Sequence, residues 1–116
     1  MKRLYWWLLL IVYAAFIFHL SSLEAPPTPP LFPHQDKVMH FAEYVPFGYL
    51  TLKAFAPVTL KGYSVSAFFA LAYAASDEVH QGLVPTREPS FFDWLADATG
   101  ILVAFALKLR GRITKH

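Results

Sequence analysis

Cysteine is absent from this chain of 116 residues, which removes disulfide scaffolds, cysteine-bound zinc and thiol nucleophiles together. Charge is scarce as well. Asp, Glu, Lys and Arg make up 16% of the residues, against roughly a quarter in an ordinary soluble domain. With five glycines, the chain has no glycine-rich phosphate loop, and no serine sits in a nucleophile-elbow context. Those gaps argue against covalent and nucleotide-driven catalysis. What fills the chain is apolar: 56% of residues are hydrophobic, 17% are aromatic, and the mean hydropathy is +0.39. So many aromatics with a net charge of +2 exclude intrinsic disorder. Ten basic residues spread through so apolar a chain are a weak footprint for nucleic acid, despite a pI near 9.0. The length suits one domain, and the composition points to a membrane.

Four apolar spans are expected, at about residues 4–23, 38–56, 63–80 and 91–109. The first is apolar from Leu4 to Leu20 except for His19. Lys2 and Arg3 precede it as they would a signal peptide, but no small-x-small site follows promptly and Pro26 and Pro27 stand where cleavage would fall. An uncleaved helix is therefore expected. Pro26, Pro27, Pro29, Pro30 and Pro33 make the next stretch an extended connector. In the second span Pro46 cannot donate to the carbonyl of Ala42, so a kink is expected there, and Pro57 ends the helix. The expected architecture is an all-α bundle of four transmembrane helices, with no repeats or heptads.

The charges sort by sign. With the N-terminus inside, Lys2, Arg3, Lys53, Lys61, Lys108, Arg110, Arg112 and Lys115 collect on the inner side, leaving Lys37 and Arg87 outside. Glu24, Asp36, Glu43, Asp77, Glu78, Glu88, Asp93 and Asp97 all fall on outer loops or outer helix halves. A soluble bundle has no reason for this separation, whereas the positive-inside rule predicts it. Both termini are expected in the cytoplasm.

Polar residues converge at the outer end. Asp36, His40 and Glu43 share one face of the second helix. An acid at a helix start suits the dipole and accounts for Asp36, but not for His40 or Glu43 deeper in the span. On the third helix Tyr73, Asp77, His80 and Gln81 share a face; a polar end in the headgroup zone would account for Glu78 and Gln81, less readily for Asp77. On the fourth, Ser90, Asp93, Asp97 and Gly100 line a stripe. Ser90 with Asp93 reads as a capping box, while Asp97 lies too deep to cap. Ionisable groups inside a membrane cost about 2.5–3.5 kcal/mol each on insertion scales and normally face an interior or cavity. Gly100 on that stripe would permit close helix contact.

At these positions the sequence resembles the VanZ-like family of small bacterial membrane proteins. The resemblance rests on Ser21-Ser22, on Asp36-Lys37-Val38-Met39-His40-Phe41, on Asp77-Glu78-Val79-His80-Gln81, on Pro85-Thr86-Arg87, and on Asp93 with Asp97 and Gly100 in a D-x-x-x-D-x-x-G pattern. It implies a multi-helix protein of the bacterial cytoplasmic membrane. The family's namesake is linked to glycopeptide (teicoplanin) resistance, a link that many members lack and that does not transfer to this chain.

Two functional classes fit the residues. In the first, an enzyme-like site acts on an envelope lipid or lipid-linked precursor. His40 would be general acid or base, since imidazole titrates near neutrality. Asp77 or Asp97 would orient it or serve as base, with Glu43, Glu78, His80 and Asp93 as further candidates. Arg87, with Lys37, Asp36 and Gln81, would hold the substrate's polar group, Arg suiting bidentate phosphate or carboxylate contact. In the second class the same network is non-catalytic, either structural or binding headgroups. No H-E-x-x-H or other metal spacing occurs, so no cofactor is expected, although carboxylates and imidazole are competent to hold a divalent cation. Transport fits poorly, because the inner halves of the helices carry no matching polar path. The expected partners are membrane lipids and a cell-wall precursor, not nucleic acid.

Overall fold

The computed structural model describes residues 2–22, 35–84 and 91–114. Across them the chain is four helices: α1 (Lys2–Ser21), α2 (Gln35–Phe55), α3 (Leu60–Gln81) and α4 (Phe91–Thr114). No strand occurs among the described residues. Each helix lies where an apolar span was expected, but α2 and α3 begin three residues earlier and α4 runs five residues further. The proline cluster and the Pro85-Thr86-Arg87 turn lie outside the described residues, as do Glu24, Glu88 and Ser90.

Local chemistry sets the helix ends. Pro46 stands inside α2 without ending it; neighbouring helices can absorb the missing hydrogen bond. Termination comes at Phe55. Ala56 then takes a left-handed φ of 47°, its N–H donates to the Leu52 carbonyl at 2.8 Å, and Pro57 cannot continue a helix. Thr59 restarts the chain as the N-cap of α3, its hydroxyl accepting from the Gly62 N–H at 3.0 Å.

Side-chain pairs give the directions. Trp6 and Trp7 near the start of α1 meet Tyr49 and Phe55 near the end of α2, so α1 and α2 are antiparallel. Tyr44 of α2 meets Asp77 of α3, and Trp94 of α4 donates to the Leu71 carbonyl of α3. The path is therefore up, down, up, down, with α2 packed against all three others.

The most extensive interface joins α2 and α4, which run parallel. Glycine makes it close. A Cβ on Gly100 would lie 2.7 Å from the Phe41 carbonyl oxygen and 3.1 Å from the Val45 nitrogen. A Cβ on Gly48 would lie 2.9 Å from that of Ala104 and 3.0 Å from the Ile101 Cα. Backbone meets backbone at both points, the packing that small residues allow between helices. Gly100 was expected to serve this way; Gly48 was not singled out.

Polarity is inverted relative to a soluble domain. All four helices expose large apolar side chains, among them Val12 at 64%, Phe68 at 75%, Phe92 at 67% and Leu107 at 60%. Meanwhile His40, Thr51, Ser66, Asp77, Glu78, Gln81, Asp93 and Asp97 are buried. Among the described residues one helix, α1 over Leu4–Ser21, is long and apolar enough to cross a membrane, with hydropathy 1.8.

Candidate functional site

The alternating path brings the end of α1, the start of α2, the end of α3 and the start of α4 to one end of the bundle. Every described acid lies in that half, on α2, α3 or α4. Lys53, Lys61, Lys108 and Arg110 lie at the opposite end.

His40 is the hub. It is buried on α2, one turn above the layer where Gly100 meets the α2 backbone. Its Nδ1 lies 2.8 Å from Oδ1 of Asp97, a fully buried carboxylate on α4. A carboxylate only accepts, so with Asp97 ionised the Nδ1–H donates and the ring's Nε2 is turned the other way. Nε2 lies 3.8 Å from Oδ2 of Asp93, one helical turn earlier on α4. That distance is beyond hydrogen bonding. Asp93 also receives Lys37, whose Nζ is 3.1 Å from Oδ1.

The third helix contributes Asp77 and Glu78, both buried. Asp77 Oδ2 accepts from the Tyr44 hydroxyl at 2.8 Å, and Tyr44 is itself fully buried. Glu78 approaches the hub: its carboxylate, the His40 imidazole and the Asp93 carboxylate each offer one ligand-type atom, and these three lie within 4.8 Å of one another. Two buried oxygens, Asp77 Oδ1 and Asp97 Oδ2, have no hydrogen-bond partner among the described residues.

A smaller polar contact joins α3 to α1. His80 Nε2 lies 2.8 Å from the Ser22 hydroxyl, and the His80 ring stacks on Phe18 with centroids 4.0 Å apart. Ser22 Oγ also donates to the Phe18 carbonyl. Gln81, one residue on, is buried.

The candidates named from the sequence thus separate into groups. His40, Glu78 and Asp93 converge, with Asp97 bonded to the first and Lys37 to the third. Glu43 is half-buried on α2, outside that three-residue set; its carbonyl accepts from the Tyr13 hydroxyl at 2.6 Å. His80 faces α1 instead. Glu78 and Gln81, which a polar helix end would have left in the headgroup zone, are enclosed. Arg87 and the side chain of Asp36 lie outside the described residues. Tyr44 was missed. Its signal was available: Asp36, His40, Tyr44 and Gly48 repeat at one-turn spacing, so the face that carries His40 continues through Tyr44.

Grooves open elsewhere. One lies between α2 and α3 beside Phe55, Phe69 and Tyr73; the other lies between α2 and α4 at the basic end, beside Tyr49, Lys53 and Lys108. Neither is lined by the hub. The His40 cluster is enclosed by helices, which is what makes its charges costly and its geometry fixed.

A family model described as VanZ/LLP1 matches residues 4–110, nearly the whole chain and every element of the cluster. The protein belongs to the VanZ/LLP1 family. No match was found among curated proteins or among solved structures. Within this VanZ/LLP1 protein, Ser22, Lys37, His40, Asp77, Glu78, His80, Asp93 and Asp97 all stand at the acidic end of the bundle.

Proposed function

We propose that this protein is a four-span integral protein of the bacterial cytoplasmic membrane, with both termini cytoplasmic. Its outward-facing acidic end binds, or acts on, the headgroup of an envelope lipid or lipid-linked cell-wall precursor. The observation that carries this reading is the inverted polarity: an apolar exterior around His40, Asp77, Glu78, Asp93 and Asp97 enclosed at one end. Large apolar side chains are exposed on all four helices, the kind of surface that marks a membrane or protein contact. Helices of 20, 21, 22 and 24 residues, at about 1.5 Å per residue, match the roughly 30 Å hydrocarbon core. Among the described helices α1 alone reads as a span by its own length and composition; α2, α3 and α4 carry the ionisable residues of the cluster, and intramembrane ionisable groups that face inward mark functional sites.

In this reading His40 is the acid–base or ligating group and Asp97 holds its ring in place through Nδ1. Lys37 and Arg87 receive the anionic group, with Asp36 and Gln81 as further binding candidates and Glu43 and His80 as further acid–base candidates. A second reading has support of its own. Tyr44–Asp77 and His40–Asp97 each tie two helices together, as a structural network would.

Single substitutions separate the two. His40→Gln, Asp77→Asn, Arg87→Gln and Asp97→Asn are scored for both membrane accumulation and an envelope phenotype. Normal accumulation with a lost phenotype is expected; phenotype falling only in proportion to abundance would leave the network structural. A reporter fused after His116 is expected to be active in the cytoplasm, and periplasmic activity would reverse the topology.

A further inference from the structure

Three donor atoms from three helices meet inside the acidic end: an imidazole nitrogen of His40 (α2), a carboxylate oxygen of Glu78 (α3) and one of Asp93 (α4), all within 4.8 Å of one another. Their residues are 6%, 6% and 7% exposed. The one separation measured among them, 3.8 Å from His40 Nε2 to Asp93 Oδ2, is too long for a hydrogen bond. It is a natural spacing for two ligands on one ion, since bonds of about 2.0–2.2 Å put neighbouring ligand atoms roughly 3–4 Å apart.

The surroundings of the trio have the form of a supported metal site. Asp97 engages His40 through Nδ1 at 2.8 Å, which fixes the ring and leaves Nε2 toward Asp93. Metal-binding histidines commonly give their second nitrogen to a carboxylate in this way. Charge points in the same direction. Asp77, Glu78, Asp93 and Asp97 are all buried, and Lys37 and, when protonated, His40 form ion pairs with Asp93 and Asp97. Two oxygens of the supporting carboxylates, Asp77 Oδ1 and Asp97 Oδ2, are fully enclosed with no hydrogen-bond partner among the described residues. Four carboxylates in one enclosed region need positive charge or protons to be held there.

We propose that His40, Glu78 and Asp93 bind one divalent transition-metal cation, of the Mn2+ or Zn2+ type, with Asp97 as the positioning residue behind His40. The proposal deepens, and rests on, the reading of this end as a ligand-binding site. The donor set selects the ion class: an imidazole favours transition metals over Mg2+ and Ca2+, which prefer oxygen alone, while two carboxylates suit Mn2+ as well as Zn2+. Three protein ligands leave coordination positions open for water or for an oxygen of a bound headgroup.

The test uses the full chain in detergent, stripped with EDTA, exchanged into chelator-free buffer and titrated with MnCl2. Free Mn2+ is followed by electron paramagnetic resonance. One Mn2+ per chain is expected, displaced by Zn2+ and not by equimolar Mg2+. Glu78→Gln and Asp93→Asn should each weaken binding at least 100-fold, and Asp97→Asn by 10- to 100-fold with the stoichiometry kept. Pulsed spectra of the wild-type complex should show coupling to a single imidazole nitrogen, a readout that does not depend on any variant folding. Substoichiometric Mn2+, no nitrogen coupling, or equal binding by well-folded Glu78→Gln and Asp93→Asn would overturn the site. Failure of the broader reading looks different. A cation bound as described, in a protein whose cluster variants keep a full envelope phenotype, supports the metal site and removes the lipid-directed function. Lost phenotype without any cation removes the metal site alone.

Discussion

At one end of the bundle the helices enclose His40, Asp77, Glu78, Asp93 and Asp97. At the other, Trp6, Trp7 and Phe55 are half-buried in ring contacts with one another's helices and with the more exposed Tyr49 and Phe69, and the charges of Lys53 and Lys108 stand at the edge. The same four helices build both ends, and large apolar side chains are exposed on the outward faces of all four. Inside, then, the chain changes material halfway. The aromatic end is held by ring contacts such as Phe55 on Phe69 at 5.1 Å, which tolerate small shifts. The acidic end is held by directional bonds between ionisable groups, which do not. A bundle seeking stability alone would have continued the aromatic packing, because interhelical hydrogen bonds in membranes average only about 0.6 kcal/mol and each charge is expensive to enclose. The acidic end therefore carries a polar arrangement that helix packing by itself does not require.

That contrast can be broken first where the two halves share a backbone contact. Gly100→Leu should force α2 and α4 apart at Phe41–Val45, lowering stability by about 1–3 kcal/mol or more. Gly111→Leu, on the same helix with nothing within 4 Å of an added Cβ, should stay within about 0.5 kcal/mol. Unfolding titrations in mixed micelles compare the pair, and equal losses would refute the close contact at Gly100.

The next largest effect compares two tyrosines. Tyr44→Phe removes the donor to the buried Asp77 and should cost about 0.6–1.7 kcal/mol. Tyr49→Phe at the aromatic end, where the ring is 45% exposed, should be near neutral. A costless Tyr44→Phe in the same titration would show that the hydroxyl does not hold α2 to α3.

The smallest effect lies at the basic rim. Lys53 places its Nζ 5.5 Å from the ring centroids of both Trp6 and Tyr49. Lys53→Met should lose about 0.5–1 kcal/mol, less than Lys37→Met, which takes the ammonium from the buried Asp93. The reverse order would place the important charge at the wrong end.

Much of this was legible in the residues themselves. Apolar runs punctuated by Pro57 and the proline cluster give four helices, with starts off by a turn at α2 and α3, because boundaries depend on caps such as Thr59 that composition does not weigh. The Asp93–Asp97–Gly100 stripe predicted both a buried acid and a close contact, and Asp97 and Gly100 fill those parts. Glu43 and His80, by contrast, looked like equal members of the cluster. Spacing places a side chain on a face but does not say which helix that face meets, and His80 turned to Ser22 and Phe18 on α1. Tyr44 and Gly48 were passed over because an aromatic and a lone glycine are ordinary within an apolar run.

The sequence by itself determined that the chain is helical and apolar outside, and that its acids and bases part toward opposite ends. Those properties follow from local periodicity and from the order of residues along alternating helices. The tertiary structure decided which groups meet: α2 beside α4 in parallel, His40 against Asp97, Tyr44 against Asp77, and His40, Glu78 and Asp93 around one point. The physical reason is rotation and proximity. How far each helix turns about its axis, and how near its neighbour comes, is set by backbone contact at Gly48 and Gly100, and that contact exists only once the helices have packed.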